Sequence, residues 1–392
     1  MRTLLVTGPG GSGRTTLAAA TALAAAHAGH RVLVLSADRA DTLGAVLGGP
    51  DTHPGLTTRR LAPDDRFRDD LVALQERASS ALDLLGAERL DGEELTPLPG
   101  AEELALLRAL RDAGADDAHD TLIVDLPPTP RALAALALPE QLRRYLRRLL
   151  PPERQAARAL RPMLGRLAGV PMPAAWLYES AARLEDELAA VQRVIEAPTT
   201  TVRLTAEPGP AGADAVRAAA TGLALHGLRT DLLIANRILP DASADTWLAG
   251  LCAQQHKTLD EWESAYDHVG RVPHLGRDPR GAEDLEALGL TAPGPAPAPV
   301  TWPVTEASGT ITDASGDGSH AYVWHIPLPG VGRDELGLIR RGDELVVTAG
   351  PFRRIVTLPS ALRRCTVAGA GLREGELRVR FAPDPALWPR GN

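Results

Sequence analysis

The glycine-rich stretch near the N-terminus has the residue types best suited to chemistry. Residues 8–16 (GPGGSGRTT) follow a short apolar run and precede an alanine-rich stretch. Glycines let backbone N–H groups turn towards an anion, and a helix that begins there adds positive potential. The pattern predicts a phosphate-binding loop, and its alternative is a glycine-rich turn without a ligand. The expected phosphate contacts are Gly10, Gly11, Ser12, Gly13, Arg14, Thr15 and Thr16.

The loop carries an arginine at the position where phosphate loops usually have a lysine. Arg14 keeps the positive charge, but its planar guanidinium is wider than an ammonium group and does not occupy the same place without rearrangement. The next residue, Thr15, is suited to hold Mg²⁺ through its hydroxyl. Arg14 is therefore the candidate catalytic cation and Thr15 a candidate metal ligand.

The elements around this loop are predicted by short apolar runs bounded by turn residues. Such runs are typical of buried parallel strands, and the segment after the loop predicts a helix over 15–28. Longer stretches with apolar residues at helical spacing cover 64–85, 102–111, 142–168 and 176–196, the third broken by prolines. The predicted strands are 2–7, 31–36, 120–125, 200–205 and 231–236.

Several motifs keep the order and spacing of one ATPase family. They are the loop at 8–16, then 36–41 (SADRAD), 98–103 (LPGAEE), 125–131 (DLPPTPR), 136–140 (LALPE) and 234–240 (IANRILP). Together they resemble the ArsA/Get family, which contains arsenite-pump ATPases and tail-anchored-protein targeting ATPases. The family loop reads G-K-G-G-x-G-K-T-T, so Pro9 and Arg14 replace both of its lysines. The first lysine reaches the partner's nucleotide across a dimer interface, which a proline cannot do.

The resemblance also implies roles for residues outside the loop. Asp38, in the first switch motif, would orient the attacking water, and Asp125, in the second, would hold Mg²⁺ through water. The alternative for each is a carboxylate at a strand end that caps a helix. Asn236 and Pro273 would contact adenine. The second switch departs from the family, because Pro130 and Arg131 replace its glycine and histidine.

The sequence changes character after residue 290. Residues 291–319 are rich in proline and glycine and predict a linker, and 320–385 contain short alternating runs that predict a β-sandwich. The predicted strands there are 321–327, 335–339, 344–348, 352–358, 365–368 and 376–381. Motifs such as 326–331 (IPLPGV) and 375–379 (GELRV) resemble the α-crystallin domain of small heat-shock proteins.

The predicted architecture is therefore an α/β P-loop NTPase domain with a parallel sheet and a helical subdomain, plus a C-terminal all-β sandwich. The first domain covers 1–290, with helical insertions at about 51–118 and 140–197, and a linker joins it to the sandwich. The sandwich could contact peptide clients along an edge, or it could only pack on the first domain or set the geometry of a dimer.

Composition excludes several classes of function. The formal net charge of −8 and the isoelectric point near 5.7 argue against nucleic-acid binding. We expect a cytoplasmic protein, because no apolar run is long enough for a stable membrane span or a signal peptide. Cys252 and Cys365 stand far apart and predict two buried thiols rather than a zinc or dithiol site.

Two functions remain open at this stage. In the first, the chain is a homodimer that binds ATP and Mg²⁺, hydrolyses ATP weakly and couples nucleotide binding to holding a hydrophobic or membrane-protein client. In the second, it is a non-catalytic pseudo-ATPase that acts as a chaperone-like binding or scaffold protein. Arsenite transport ranks third, because the chain lacks a cysteine cluster for As(III).

Overall fold

The structure is a computed structural model of the 392-residue chain. It describes residues 1–38, 40–49, 53–77, 79, 83, 90–96, 98–150, 175–240, 245–312, 318–384 and 386–387. Much of the predicted helical region 142–168 lies outside these residues, as does Arg39 of the first switch motif.

A seven-stranded parallel sheet forms the N-terminal part of the molecule, in the order β3-β2-β4-β1-β5-β6-β7. The paired strands β1 and β4 run in register, with Val6 opposite Asp125, and Ser36 of β2 also lies opposite Asp125. Strands β2, β4 and β5 are buried along their whole length, as the apolar runs of β2 and β4 predict. The strands are β1 (Arg2–Thr7), β2 (Val32–Ser36), β3 (Leu56–Arg60), β4 (Thr121–Asp125), β5 (Thr200–Ala206), β6 (Thr230–Ile238) and β7 (Val269–Pro273).

Nine α-helices accompany these strands within the described residues. Helix α1 follows β1 and is buried mainly over residues 17–25, where its run of alanines permits close packing because their side chains are small. The helices are α1 (Arg14–His27), α2 (Thr42–Leu47), α3 (Pro63–Arg77), α4 (Ala101–Gly114), α5 (Thr129–Leu149), α6 (Ala175–Ile195), α7 (Pro210–His226), α8 (Thr246–Ala265) and α9 (Gly281–Ala287).

Contacts divide the chain into two compact units. The first contains Met1–Thr7, Gly13–Thr200 and Leu275–Pro295, and the second contains Gly8–Ser12, Thr201–His274 and Ala296–Asn392. Within the first unit, α4 packs against α3 and α6, and α5 packs against α6. Helices α3, α4 and α6 lie within the sequence ranges for which helical insertions are predicted, and α5 lies partly within one.

The structure differs from the predicted organisation at three places. The range 51–118 is not wholly helical, because β3 pairs with β2 at the edge of the sheet. Helix α5 begins at Thr129 rather than near residue 140, and Pro139 lies inside it. Strand β8 (Val304–Thr312) occupies part of the predicted linker, since its backbone pairs with the next strand, β9 (Gly318–Pro327).

The C-terminal strands form two antiparallel sheets within the second unit. One has the order β10-β11-β12 and the other β13-β14-β9-β8. Alternate residues of β14 are buried, including Leu377, Val379 and Phe381, so the alternating pattern of the sequence is used as predicted. The further strands are β10 (Leu336–Arg341), β11 (Glu344–Ala349), β12 (Phe352–Thr357), β13 (Cys365–Arg373) and β14 (Glu376–Pro383).

Candidate nucleotide-binding site

The predicted phosphate loop connects the end of β1 to the start of α1. Gly11 and Gly13 have φ angles of 79° and 83°, in the left-handed region that glycine adopts without strain. The backbone N–H of Ser12 donates to the Pro9 carbonyl at 3.3 Å, which closes the turn. Thr16 lies in the first turn of α1, which holds no acidic side chain that would repel an anion.

The first half of the loop approaches β5 closely. The Ser12 and Thr205 hydroxyls are 2.8 Å apart, and a Cβ added to Gly8 would lie 2.0 Å from the Thr205 carbonyl oxygen. The amide of Asn236 is buried and donates to the Ser12 carbonyl at 2.9 Å. Side chains from β5 and β6 therefore help to hold the loop backbone in place.

Asp125, at the end of β4, is the most deeply buried acid of the site. Its Oδ2 accepts hydrogen bonds from the Thr15 hydroxyl at 2.8 Å and from the Ser36 hydroxyl at 3.1 Å. Burial raises the pKa of Asp125 and outweighs the opposing effects of these bonds and of the Arg14 charge. The structure thus brings together the two predicted metal-binding residues, and it adds Ser36, to which the sequence assigns no role.

Arg14 does not lie free in the loop. Its Nη1 donates to the backbone carbonyl of Leu126, at 2.6 Å, in the second switch motif. Burial lowers the pKa of Arg14, while the carboxylates of Asp125 and Asp38 oppose that shift. The predicted catalytic cation therefore contacts the second switch, on the residue that follows Asp125.

Asp38 holds the turn that leads into α2. Its carboxylate accepts from the Thr42 hydroxyl and, at 3.1 Å, from the Ala40 backbone N–H. Both bonds are those of a carboxylate that stabilises a helix entry, the alternative given for this residue. Asp38 also lines the cavity described next, so its role towards an attacking water stays a prediction.

A cavity of about 320 Å³ lies beside Thr15 and Asp125. Arg131, in the first turn of α5, reaches it and forms ion pairs with Glu102 at 2.9 Å and with Glu103 at 3.6 Å. The glutamates belong to the first turn of α4, and the sequence gives no signal that they pair with the second switch. The charged and hydroxyl side chains that line the cavity are Arg14, Thr15, Asp38, Glu102, Glu103, Asp125 and Arg131.

The oxygen atoms of this site fit Mg²⁺ in part. Thr15 and Asp125 offer a hydroxyl and a carboxylate, the hard ligands that Mg²⁺ prefers. Within the residues that the structure describes, no group of three or more His, Cys, Asp or Glu side chains could hold a metal ion. A magnesium ion here would therefore depend on phosphate and water oxygens, as is usual for Mg²⁺ bound with a nucleotide.

The two predicted adenine contacts, Asn236 and Pro273, differ from each other in their surroundings. Asn236 uses its amide N–H on the Ser12 carbonyl, whereas Pro273 is exposed at the end of β7, opposite Ile238. Their roles towards adenine stay predictions. Cys252 and Cys365 are both free and buried, as predicted, and no described helix is long and apolar enough to cross a membrane.

Two family models match the chain. Residues 1–292 match the anion-transporting ATPase, and residues 319–381 match an HSP20-like domain found in ArsA. Both matches confirm the resemblances drawn from the motifs, and the first covers most of the chain.

Three relatives match over nearly the full length. Protein SCO2128 of Streptomyces coelicolor is 66% identical over 100% of both chains. Protein Rv2184c of Mycobacterium tuberculosis is 35% identical, covering 99% of this chain and 97% of its own. A putative arsenical pump-driving ATPase of Aquifex aeolicus is 27% identical, covering 97% of this chain and 99% of its own.

Proposed function

Because the chain belongs to the family of anion-transporting ATPases, we propose that it binds ATP with Mg²⁺ at residues 8–16 and hydrolyses it slowly. The hydrogen bond between Thr15 and Asp125, on the wall of the cavity, is the observation that carries this proposal. A hydroxyl and a carboxylate held 2.8 Å apart beside a phosphate loop are the groups that a bound Mg²⁺ needs from the protein.

The loop backbone supplies the other half of the proposed site. Gly10 has open space where a side chain would stand, since a Cβ built there meets no atom within 4 Å. The N–H groups of the loop and the start of α1 favour an anion. Mg²⁺, when bound, would neutralise phosphate charge, while Thr15 and Asp125 would hold it and Asp38 would orient water.

Slow hydrolysis follows from the cations that the loop lacks. Transfer of a phosphoryl group depends on positive charges fixed around it. Pro9 has none, and the Arg14 guanidinium bonds the Leu126 carbonyl instead of standing free for phosphate. Pro130 also stiffens the second switch, where the family has a glycine.

The same features support the alternative, a pseudo-ATPase that binds partners without turnover. In either case we propose a cytoplasmic homodimer that holds a hydrophobic client, following the family resemblance. The HSP20-like domain supports a role in protein contacts.

Measurements of ATP binding and of ATP turnover together separate the two functions. We expect calorimetry with ATP, in the presence of Mg²⁺, to show binding that weakens when the metal is chelated. Steady-state hydrolysis should exceed that of an Asp38→Asn variant by about a hundredfold, the lower end of the usual contribution of a general acid or base. Turnover equal to that of the variant, with ATP still bound, would favour the pseudo-ATPase.

A double substitution tests why hydrolysis is slow. Pro9→Lys together with Arg14→Lys restores both cations, and we expect turnover to rise while the midpoint of thermal unfolding changes little. Unchanged turnover in a folded, ATP-binding variant would move the cause to the second switch and Pro130.

Oligomeric state and client binding need separate measurements on the full chain. Light scattering with ATP and with ADP should give the mass of a dimer in at least one nucleotide state. Suppression of the aggregation of a peptide with a single apolar helix, compared between ATP and ADP, tests the client. A monomer in both states would contradict the homodimer.

A further inference from the structure

Arg131 is a second arginine in the cavity beside the phosphate loop. Its guanidinium Nη2 lies 2.9 Å from Glu102 and 3.6 Å from Glu103, and its side chain is 61% exposed. An ion pair with this much access to solvent contributes little to stability and can exchange partners at small cost. The charge of Arg131 is thus available to a stronger anion that enters the cavity.

The backbone that carries Arg131 has little freedom. Pro127, Pro128 and Pro130 each fix a φ angle, and the Arg131 N–H donates to the Pro128 carbonyl at 2.9 Å. The Thr7 hydroxyl also donates to the Pro127 carbonyl at 2.8 Å. A response of this segment to a ligand therefore has to come from a change of side-chain rotamer rather than from a movement of the backbone.

The charges of the cavity create a need for this cation. Four carboxylates and two arginines line it, and Arg14 is committed to the Leu126 carbonyl. A triphosphate that enters beside Thr15 brings further negative charge close to Asp38 and Asp125. Arg131 is the lining cation whose ion-pair partners are the half-buried side chains of Glu102 and Glu103 rather than backbone.

On the basis of the function proposed above, we infer that Arg131 contacts the terminal phosphate of a nucleoside triphosphate and thereby distinguishes ATP from ADP. Without that phosphate, Glu102 and Glu103 hold the guanidinium. With it, Arg131 exchanges the carboxylates for phosphate oxygens, to which a guanidinium can donate two parallel hydrogen bonds. The exchange releases the link between α5 and the first turn of α4.

The test compares the affinities of ATP and ADP in the full chain. Arg131→Ala should weaken ATP binding by about tenfold, the loss typical of one charge-assisted hydrogen bond, while ADP affinity changes by less than about twofold. The measurement is isothermal calorimetry with each nucleotide and Mg²⁺. Unchanged ADP binding also shows that the variant is folded.

Two matched variants sharpen the test. Arg147→Ala removes another exposed arginine of α5, one that pairs with Glu185 at 3.6 Å outside the cavity, and should leave both affinities unchanged. The double variant E102Q/E103Q removes the competing carboxylates and should strengthen ATP binding by roughly threefold, since the ion pairs that compete for Arg131 are weak.

The outcomes separate this inference from the function on which it rests. Equal ATP-to-ADP affinity ratios for Arg131→Ala and the unsubstituted chain would overturn the role of Arg131 and leave nucleotide binding standing. A chain that binds neither nucleotide would overturn both. Opposite shifts in the ratio for Arg131→Ala and the double glutamine variant would support the inference.

Discussion

Asp125 lies at a strand end of the parallel sheet, and Glu376 lies at a strand end of an antiparallel sheet. Their surroundings shift the pKa of the two carboxyl groups in opposite directions. Burial raises the pKa of Asp125, although two hydroxyls donate to it. Burial also acts to raise the pKa of Glu376, but hydrogen bonds from His325 and Arg378 outweigh it and lower the pKa. Ionisation of Asp125 in the parallel sheet therefore costs stability, whereas ionisation of Glu376 in the antiparallel sheet adds stability.

This difference is expected when one region serves a ligand and the other serves the fold. A carboxylate poised for a metal has to lack a fixed cation of its own, because a permanent partner would compete with the ion. The bonds to His325 and Arg378 leave Glu376 no such role.

The largest effect should come from Gly8. Gly8→Ala would put a methyl group 2.0 Å from the Thr205 carbonyl oxygen, a backbone atom in a buried strand. We expect a loss of about 2–4 kcal/mol in the free energy of unfolding, because neither backbone can move away cheaply. Urea denaturation measures this loss.

Gly10→Ala is the matched control. The added Cβ meets no atom within 4 Å, so stability should change by less than about 0.5 kcal/mol. The methyl group would still stand in the phosphate loop and should weaken nucleotide binding. Equal destabilisation by the two variants would show that the loop is less tightly packed against β5 than the contact indicates.

Asp125→Asn should change stability less than Gly8→Ala does, and it should raise stability rather than lower it. Because the pKa of Asp125 is raised in the folded state, ionisation disfavours folding above the ordinary value of 3.8. A neutral amide removes this cost and its oxygen can accept the same two hydroxyl bonds. We expect the midpoint of thermal unfolding at pH 7 to rise by about 1–3 °C, while the effect of Mg²⁺ on ATP binding disappears.

The pH dependence of this stability difference tests whether the buried charge of Asp125 is its cause. The difference between Asp125→Asn and the unsubstituted chain should shrink as the pH falls and disappear well below 3.8, where the carboxyl group is protonated in both the folded and the unfolded state. A variant that is less stable at pH 7 would contradict the assigned cost of burying the charge.

Glu376→Gln should give the smallest effect. The lowered pKa of Glu376 adds stability above its ordinary value of 4.5, and this contribution is lost as the pH falls. Since the side chain is partly exposed, we expect a loss of under about 1 kcal/mol at pH 7, and this loss should shrink as the pH falls below 4.5. A stabilised variant would remove the contrast between the two carboxylates.

Sequence patterns predicted the buried strands well and the strands at the edges of the sheets poorly. Strands β1, β2, β4, β5 and β6 each contain a short run rich in apolar residues, and each was found within about two residues of its predicted bounds, which is the usual precision for a boundary. Strand β3 (LTTRR) is half polar because one side of an edge strand faces solvent, so it has no such run. Strand β8 was missed for a different reason, since its polar and glycine residues indicate a linker.

The sequence by itself determined the family, the α/β class, the all-β C-terminal region and the position of the phosphate loop. These features depend on short segments of the chain, namely a glycine-rich turn and apolar runs, and on the order in which the motifs follow one another. Tertiary structure decided which side chains meet: Ser36 with Asp125, Ser12 with Thr205, Arg14 with Leu126 and Arg131 with Glu102. These partners stand between 29 and 193 positions apart, and only the pairing of strands and the packing of helices bring them within hydrogen-bonding distance.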